Sequence, residues 1–195
     1  MRKSEKKRKT NETDVFVALN LDGTGNYKID SSIGFLDHML TLFAVHSDID
    51  LECKCIGDNY VDDHHSTEDI AIVLAESFKE ALGDKRGIKR YSSILLPMDE
   101  ALVSVALDIS NRGYLSFCVD FPTEKIGTFD SQNVEEFFAS FCRYSSITLH
   151  IDLIRGKNSH HIAEAIFKAF ARAIKEAISI DDKKKNIIPS SKGEL

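Results

Sequence analysis

The sequence predicts an α+β protein built by duplication. Three observations carry that prediction: segments of alternating apolar residues interleave with segments of helical periodicity, the order strand, helix, strand, helix occurs twice, and a His-His-x-x-Glu pattern appears once in each copy. At 195 residues and 43% hydrophobic, the chain has enough apolar material for one substantial core or for two small halves sharing one.

The elements follow in order. Residues 15–21 alternate Val15, Val17, Leu19 and Leu21 against other residues and read as a strand, ended by the Asp22-Gly23-Thr24-Gly25-Asn26 turn. From Gly34 onward, Phe35, Leu36, Met39, Leu40, Leu42 and Phe43 follow helical spacing, and His38 rides in that helix. Residues 49–56 alternate again, and a helix over 64–82 closes at Gly83. The second series has strands at 91–96, 102–109 and 114–119, with Pro97 and the Asn111-Arg112-Gly113 turn between them. A helix over 131–144, a strand over 147–154 and a helix over 160–178 complete it. The resulting divisions are a basic N-terminal arm at 1–12, a first half-domain at 13–90, a second at 91–182 and a tail at 183–195.

Composition excludes several classes. No apolar run approaches the ~18 to 20 residues that span a bilayer, and the charged N-terminus has no apolar stretch after it, so an intracellular, cytoplasmic protein is expected. Cys53 and Cys55 extend the apolar phase of Ile49 and Leu51, so they and the other two cysteines, Cys118 and Cys142, are expected as reduced thiols without chemistry. The first nine residues are densely basic but carry no interleaved aromatics, which favours a solvated, flexible end over a nucleic-acid arm.

Asp62-Asp63-His64-His65-Ser66-Thr67-Glu68 recurs as Ser159-His160-His161-Ile162-Ala163-Glu164. On a helix each Glu lies four residues after the first histidine and three after the second, over the same surface. Adjacent histidines point about 100° apart, so one pair serves two ions more naturally than one. A single copy is more often an exposed helix start with a capping acid; two matching copies point to metal ligation.

Placing Ile49-Asp50-Leu51-Glu52 on Ile147-Thr148-Leu149-His150 shifts the chain by 98 residues, and the same shift places His38 on Glu136. If His38 reaches one metal, Glu136 should reach its pseudo-equivalent. His150 lies on the polar strand face and is expected at the surface or a subunit contact, and His46, near a helix end, as a surface or capping residue.

Gly34-Phe35-Leu36-Asp37-His38-Met39, Asp62 through Asp69, Pro97-Met98-Asp99-Glu100-Ala101, Ser159-His160-His161 through Glu164 and Pro189-Ser190-Ser191-Lys192-Gly193 occur in order, and over nearly all the chain after about Arg8 the sequence resembles the imidazoleglycerol-phosphate dehydratase family. The resemblance implies two half-domains like ribosomal protein S5 domain 2, each a four-stranded mixed sheet with two helices, the helices layered between the two sheets. It further implies a homo-oligomeric shell of 24 subunits with two Mn2+ at each intersubunit active site. By motif, one ion falls to His38, His65 and Glu68 with His160, the other to His161 and Glu164 with His64 and Glu136. Many relatives carry His where this chain has Glu136, and manganese accepts either donor.

The implied reaction removes water from imidazole glycerol phosphate, in histidine biosynthesis. The departing proton sits on a hydroxyl-bearing carbon with no neighbouring carbonyl, so the imidazole must take the charge, as an imidazolate that expels the C3 hydroxyl through a diazafulvene-like intermediate. Glu12 matches the family's active-site acid, with Asp99 as a second candidate or as a residue orienting a ligand histidine. Arg90, Arg112, Lys168, Ser190, Ser191 and Lys192 match phosphate-binding positions, and the Asn111-Arg112-Gly113 turn, commonly Gly-Arg-Pro in relatives, is expected to be looser. Two other readings stay open at this point: a hydrolase using the same two metals, and a non-enzymatic metal- or nucleic-acid-binding S5-like module, which would bind with steep salt dependence.

Overall fold

A computed structural model describes residues 2–195. The first half holds β1 (Lys3–Lys9), β2 (Thr13–Asn20), β3 (Tyr27–Asp30), α1 (Gly34–Ser47), β4 (Asp50–Gly57) and α2 (His64–Leu82). The second holds β5 (Tyr91–Met98), β6 (Ala101–Asp108), β7 (Tyr114–Cys118), the two-residue strands β8 (Lys125–Ile126) and β9 (Phe129–Asp130), α3 (Gln132–Ser145), β10 (Thr148–Arg155) and α4 (Ser159–Ala177). The two sheets have matching orders, β1-β2-β4-β3 and β5-β6-β10-β7, each with one parallel pair at an edge. The expected 98-residue shift carries α1 onto α3 and β4 onto β10 end for end. Even the helix ends correspond, with Asp48 and Ser146 both left-handed C-caps.

Alternation places Val15, Val17 and Leu19 of β2 and Leu51, Cys53 and Cys55 of β4 on the buried face of one sheet, and Val103, Val105, Leu149 and Ile151 on that of the other. The four helices fill the space between. α2 packs on β1 and β2, α4 on β5 and β6, and the halves then join through α1 against α4 and α2 against α3. Phe43 stacks on Phe170 at 5.6 Å and Phe78 meets Phe141 at 5.7 Å across these two pairs, while Phe138 touches both Phe167 and Phe170. Each fully buried ring adds roughly 2–3 kcal/mol, so neither half closes its core without the other.

Two differences from the sequence-based expectation have physical causes. Lys3–Lys9 is an edge strand paired with β2 along its whole length, and the basic arm is part of the first sheet. Its alternate residues turn inward to acids: Lys6 to Glu80 at 2.7 Å and Arg8 to Asp69. The outward lysines suit an edge that must not pair with another chain. β3 and the β8-β9 hairpin carry too few apolar residues to stand out by pattern. Of the thiols, Cys53, Cys55 and Cys142 are buried and Cys118 is exposed; burial raises the pKa of Cys55 to about 11 and that of Cys142 to about 12, so both stay protonated.

Asp50 ties the β2-β3 turn to β4. Its carboxylate accepts from the Thr24 and Asn26 amides at 3.0 Å and from both the Asn20 and Asn26 side chains at 3.1 Å. The Thr24 amide bond leads in lowering its pKa to about 2. A depressed carboxylate pKa stabilises the fold fully above the ordinary value of 3.8 and loses that contribution as pH falls toward 2. Asp50→Ala should therefore cost about 1–2 kcal/mol in urea unfolding at neutral pH, and the gap between wild type and variant should shrink as the pH is taken from 5 toward 2.

Candidate functional site

Both His-His-x-x-Glu segments open a helix, and the residues before them fix where that helix starts. The Asp62 carboxylate accepts from the His64 amide at 2.8 Å, and the Asn158 side chain from the His160 and His161 amides at 2.9 and 3.4 Å. Gly57 lies so close to α2 that a Cβ there would stand 2.0 Å from Ser66 Oγ, so β4 delivers the loop directly onto the first turn.

Two groups of donors result, each with its ligand atoms within 4.8 Å of one another: His38, His160 and Glu164, and His64, Glu68 and Glu136. Each joins the shorter helix of one half to the His-His helix of the other, because α1 lies on α4 and α3 on α2. The pseudo-symmetric placement of Glu136 opposite His38 therefore holds. The grouping of the carboxylates differs from expectation: Glu68 stands with His64 and Glu136 rather than with His38, and Glu164 with His38 and His160 rather than with His161. The i,i+4 partner of each Glu is the first histidine of its pair, and the second is turned about 100° away.

In the first group, Glu164 Oε1 is 2.8 Å from His38 Nε2 and 3.1 Å from His160 Nε2, and its other oxygen accepts from Lys168. Burial pushes the Glu164 pKa up, but the bonds from Lys168, His38 and His160 together outweigh it and hold the value at about 2. In the second group, Ser140 Oγ donates to Glu136 Oε1 at 3.1 Å.

The second histidines are held by acids that sequence reasoning did not single out. His65 Nδ1 lies 3.0 Å from Asp58, and His161 Nδ1 2.7 Å from Glu100. Each contact leaves Nε2 directed elsewhere, which is the carboxylate–histidine pairing that orients metal-binding imidazoles. The bonds to Asp58 and Glu100 raise both histidine pKa values, and that to His161 leads in bringing Glu100 down to about 2. Asp99, expected to act at this place, has a largely exposed carboxylate 3.8 Å from His161 Nε2. Its neighbour Glu100 is the orienting residue. The clue available in the sequence was position, since Glu100 precedes β6 as Glu12 precedes β2.

Glu12 lies 4.0 Å from His65 Nδ1. Its amide donates to Thr10 Oγ1 and its carbonyl accepts from the Asp58 amide, both at 3.1 Å. Asp69, buried on α2, binds Thr13 Oγ1 and the Arg8 guanidinium together, so β1, the Thr10-Thr13 turn and α2 are locked around Glu12.

A cavity of about 530 Å³ is lined by Arg90, Arg112, Ser190, Ser191 and Lys192, so five of the six expected phosphate residues meet. Lys168 does not join them within the protomer: it lies on α4, bonded to Glu164 and 3.5 Å from Met98 Sδ. Arg90 donates to Asp108 at 2.7 Å and to the Pro189 carbonyl at 2.8 Å, which seats the tail. His150 is exposed beside Tyr114, as expected of a surface residue. His46 is half-buried near Lys168 and Arg172, and burial first, then those cations, lowers its pKa.

The fold and the two His-carboxylate clusters define a duplicated α+β protein with paired candidate metal sites and, near the far end of α4, a separate cationic cavity. The family model for imidazoleglycerol-phosphate dehydratase matches residues 31–174. A protein of that name from Cereibacter sphaeroides is 54% identical over 195 residues, covering 100% of both chains, and one from Clostridioides difficile is 56% identical over 188 residues, covering 96% of each. Among solved structures, the Staphylococcus aureus enzyme superposes with a TM-score of 0.84 at 44% identity, covering 92% of this chain and 99% of that one. The Pyrococcus furiosus enzyme, in complex with (S)-C348, gives 0.84 at 33% identity, covering 97% and 100%. The chain belongs to the imidazoleglycerol-phosphate dehydratase family.

Arg8→Ala strands the buried Asp69 carboxylate. It should cost about 2–3 kcal/mol in denaturant unfolding, more than Lys9→Ala, whose partner Asp14 is exposed.

Proposed function

We propose that the chain dehydrates imidazole glycerol phosphate to imidazole acetol phosphate in histidine biosynthesis, with two Mn2+ held at the His-carboxylate clusters. The hydro-lyase activity is that of its family. The observation that carries the metal reading is the pair of three-donor groups, within 4.8 Å each, related by the internal duplication. Imidazole and carboxylate together suit manganese.

One ion would be held by His38, His160 and Glu164, and the other by His64, Glu68 and Glu136. His65 and His161, oriented by Asp58 and Glu100 but outside both groups, are read as completing the clusters of neighbouring subunits. Tyr60 and Val61, 91% and 58% exposed just ahead of His64, support a subunit junction there. A shell of 24 subunits is the assembly this reading expects. No described helix is long and apolar enough to cross a membrane, and a cytoplasmic setting agrees with the reaction.

When bound, the metals supply a Lewis-acid hold on the substrate's imidazole nitrogens. The chain's own groups do the rest. Glu12, fixed against His65 by the Thr10-Thr13 turn, is placed to move a proton at the reacting carbons. Arg90, Arg112, Ser190, Ser191 and Lys192 take the phosphate; because this cavity lies by the C-terminal end of α4 and the clusters by its start, the reading has it serve the clusters of a neighbouring subunit. Lys168 balances the charge of Glu164; a part in phosphate binding would require it to face a neighbour's cavity.

Chelator-stripped protein should lose turnover and recover it with Mn2+, and elemental analysis should find two ions per protomer; full activity after stripping would sink the proposal. Glu136→Ala should lower metal content, whereas Glu136→His should keep it. Ending the chain at Pro189 should raise KM by roughly tenfold or more with a smaller change in kcat, since a charge-assisted contact contributes about 1.5–3 kcal/mol.

A further inference from the structure

Three non-glycine residues adopt the left-handed backbone conformation around the phosphate cavity: Lys85 (φ 60°), Arg90 (φ 77°) and Asn111 (φ 62°). This region is unfavourable for an L-residue with a large side chain, and such strain gathers where a site must be held ready. Arg90 and Asn111 line the cavity. Lys85 lies behind its wall, only 6% exposed, with its Nζ 3.1 Å from Asn111 Oδ1. That is the ammonium's one hydrogen bond among the described residues. An apolar side chain would fill the same space without the cost of burying a charge, and burial, with Lys79 and Arg90 nearby, already disfavours the proton on Lys85.

The turn that follows Asn111 is tightly seated. A Cβ on Gly113 would stand 2.7 Å from the Cys142 carbonyl. Ser110 Oγ lies 3.2 Å from Thr148 Oγ1 and accepts from the Arg112 amide at 3.3 Å, and Thr148 Oγ1 donates to the Arg112 carbonyl at 3.1 Å. The Arg112 side chain is itself 70% exposed, with Asp108 3.7 Å away, so its aim is set by the turn rather than by packing. The turn has two anchors: the Ser110-Thr148 pair on one side and Lys85 on the other.

We propose that Lys85 is a positioning residue of the phosphate cavity: through its hydrogen bond to Asn111 it holds the turn that presents Arg112 to the substrate's phosphate. The proposal rests on the reading of this cavity as the phosphate site. Asn111 is suited to the role because it tolerates a positive φ and adds the acceptor that glycine lacks.

The test uses the full-length, manganese-loaded protein and measures kcat, KM, the Kd of inorganic phosphate and thermal stability. Lys85→Met should raise KM and the phosphate Kd about tenfold while kcat changes by less than about twofold. Asn111→Gly keeps the backbone geometry and deletes the acceptor, so it should weaken phosphate about three- to fivefold, and Lys85→Met should add little in that background. Lys85→Arg should recover part of the loss. Unchanged KM and phosphate Kd in Lys85→Met, even with a lowered Tm, would mark a merely structural lysine and overturn the proposal, as would simple additivity with Asn111→Gly. Should Lys85→Met fail to fold, Asn111→Gly alone decides, and an unaltered phosphate Kd there rejects it. Arg112→Ala separates the two readings: if it too leaves the phosphate Kd unchanged, the cavity assignment is wrong, and if it alone weakens binding, only the role of Lys85 is.

Discussion

The angular step of the α-helix governs the site. Two consecutive histidines at a helix start cannot face one point, so the first of each pair turns toward the Glu one turn later and the second turns away to an acid on a neighbouring loop. Each helix therefore presents two directions of ligation from one short segment. The shorter helix that completes each group belongs to the opposite half, and the phenylalanine contacts between α1 and α4 and between α2 and α3 fix that partner in place. Core packing and donor convergence are thus one event: the rings that close the hydrophobic layer also bring His38 to Glu164 and Glu136 to Glu68.

How far the sequence showed this depends on the kind of signal. His64, Glu68, His160 and Glu164 declare themselves because helical spacing converts directly into proximity. Glu136 was found through the repeat, since a lone helical Glu has no distinguishing mark. Asp58 and Glu100 were not found, because a residue that orients an imidazole across a loop has no fixed spacing from it. β1 was misjudged for a related reason: its inward residues are Lys6 and Arg8, whose value lies in Glu80 and Asp69 some sixty or seventy residues away, and apolar alternation cannot reveal an ionic face.

The misplaced members of the expected site are informative. Lys168 was matched to phosphate by its motif, yet in the protomer it neutralises Glu164, while the remaining phosphate residues converge on the far-separated tail and the β6-β7 turn. The expected ligand groups likewise kept Glu68 with His38 and Glu164 with Glu136 of the same half, whereas the structure sets each carboxylate beside the other half's helix. A motif records membership of a site without recording which neighbours the fold gives each member. The protomer carries both three-donor groups, while its second histidines, held by Asp58 and Glu100, stand outside them.

The Asn111-Arg112-Gly113 turn shows how a left-handed asparagine is held by its neighbours. Replacing glycine by asparagine at a left-handed position adds a modest conformational cost, which on its own would loosen the turn. The added amide meets a buried ammonium that would otherwise have no side-chain acceptor, and the Ser110-Thr148 pair holds the following carbonyl. A buried cation without an acceptor costs far more than a left-handed asparagine. With the Lys85 contact on one side and the Ser110-Thr148 pair on the other, the turn that carries Arg112 is held at both ends.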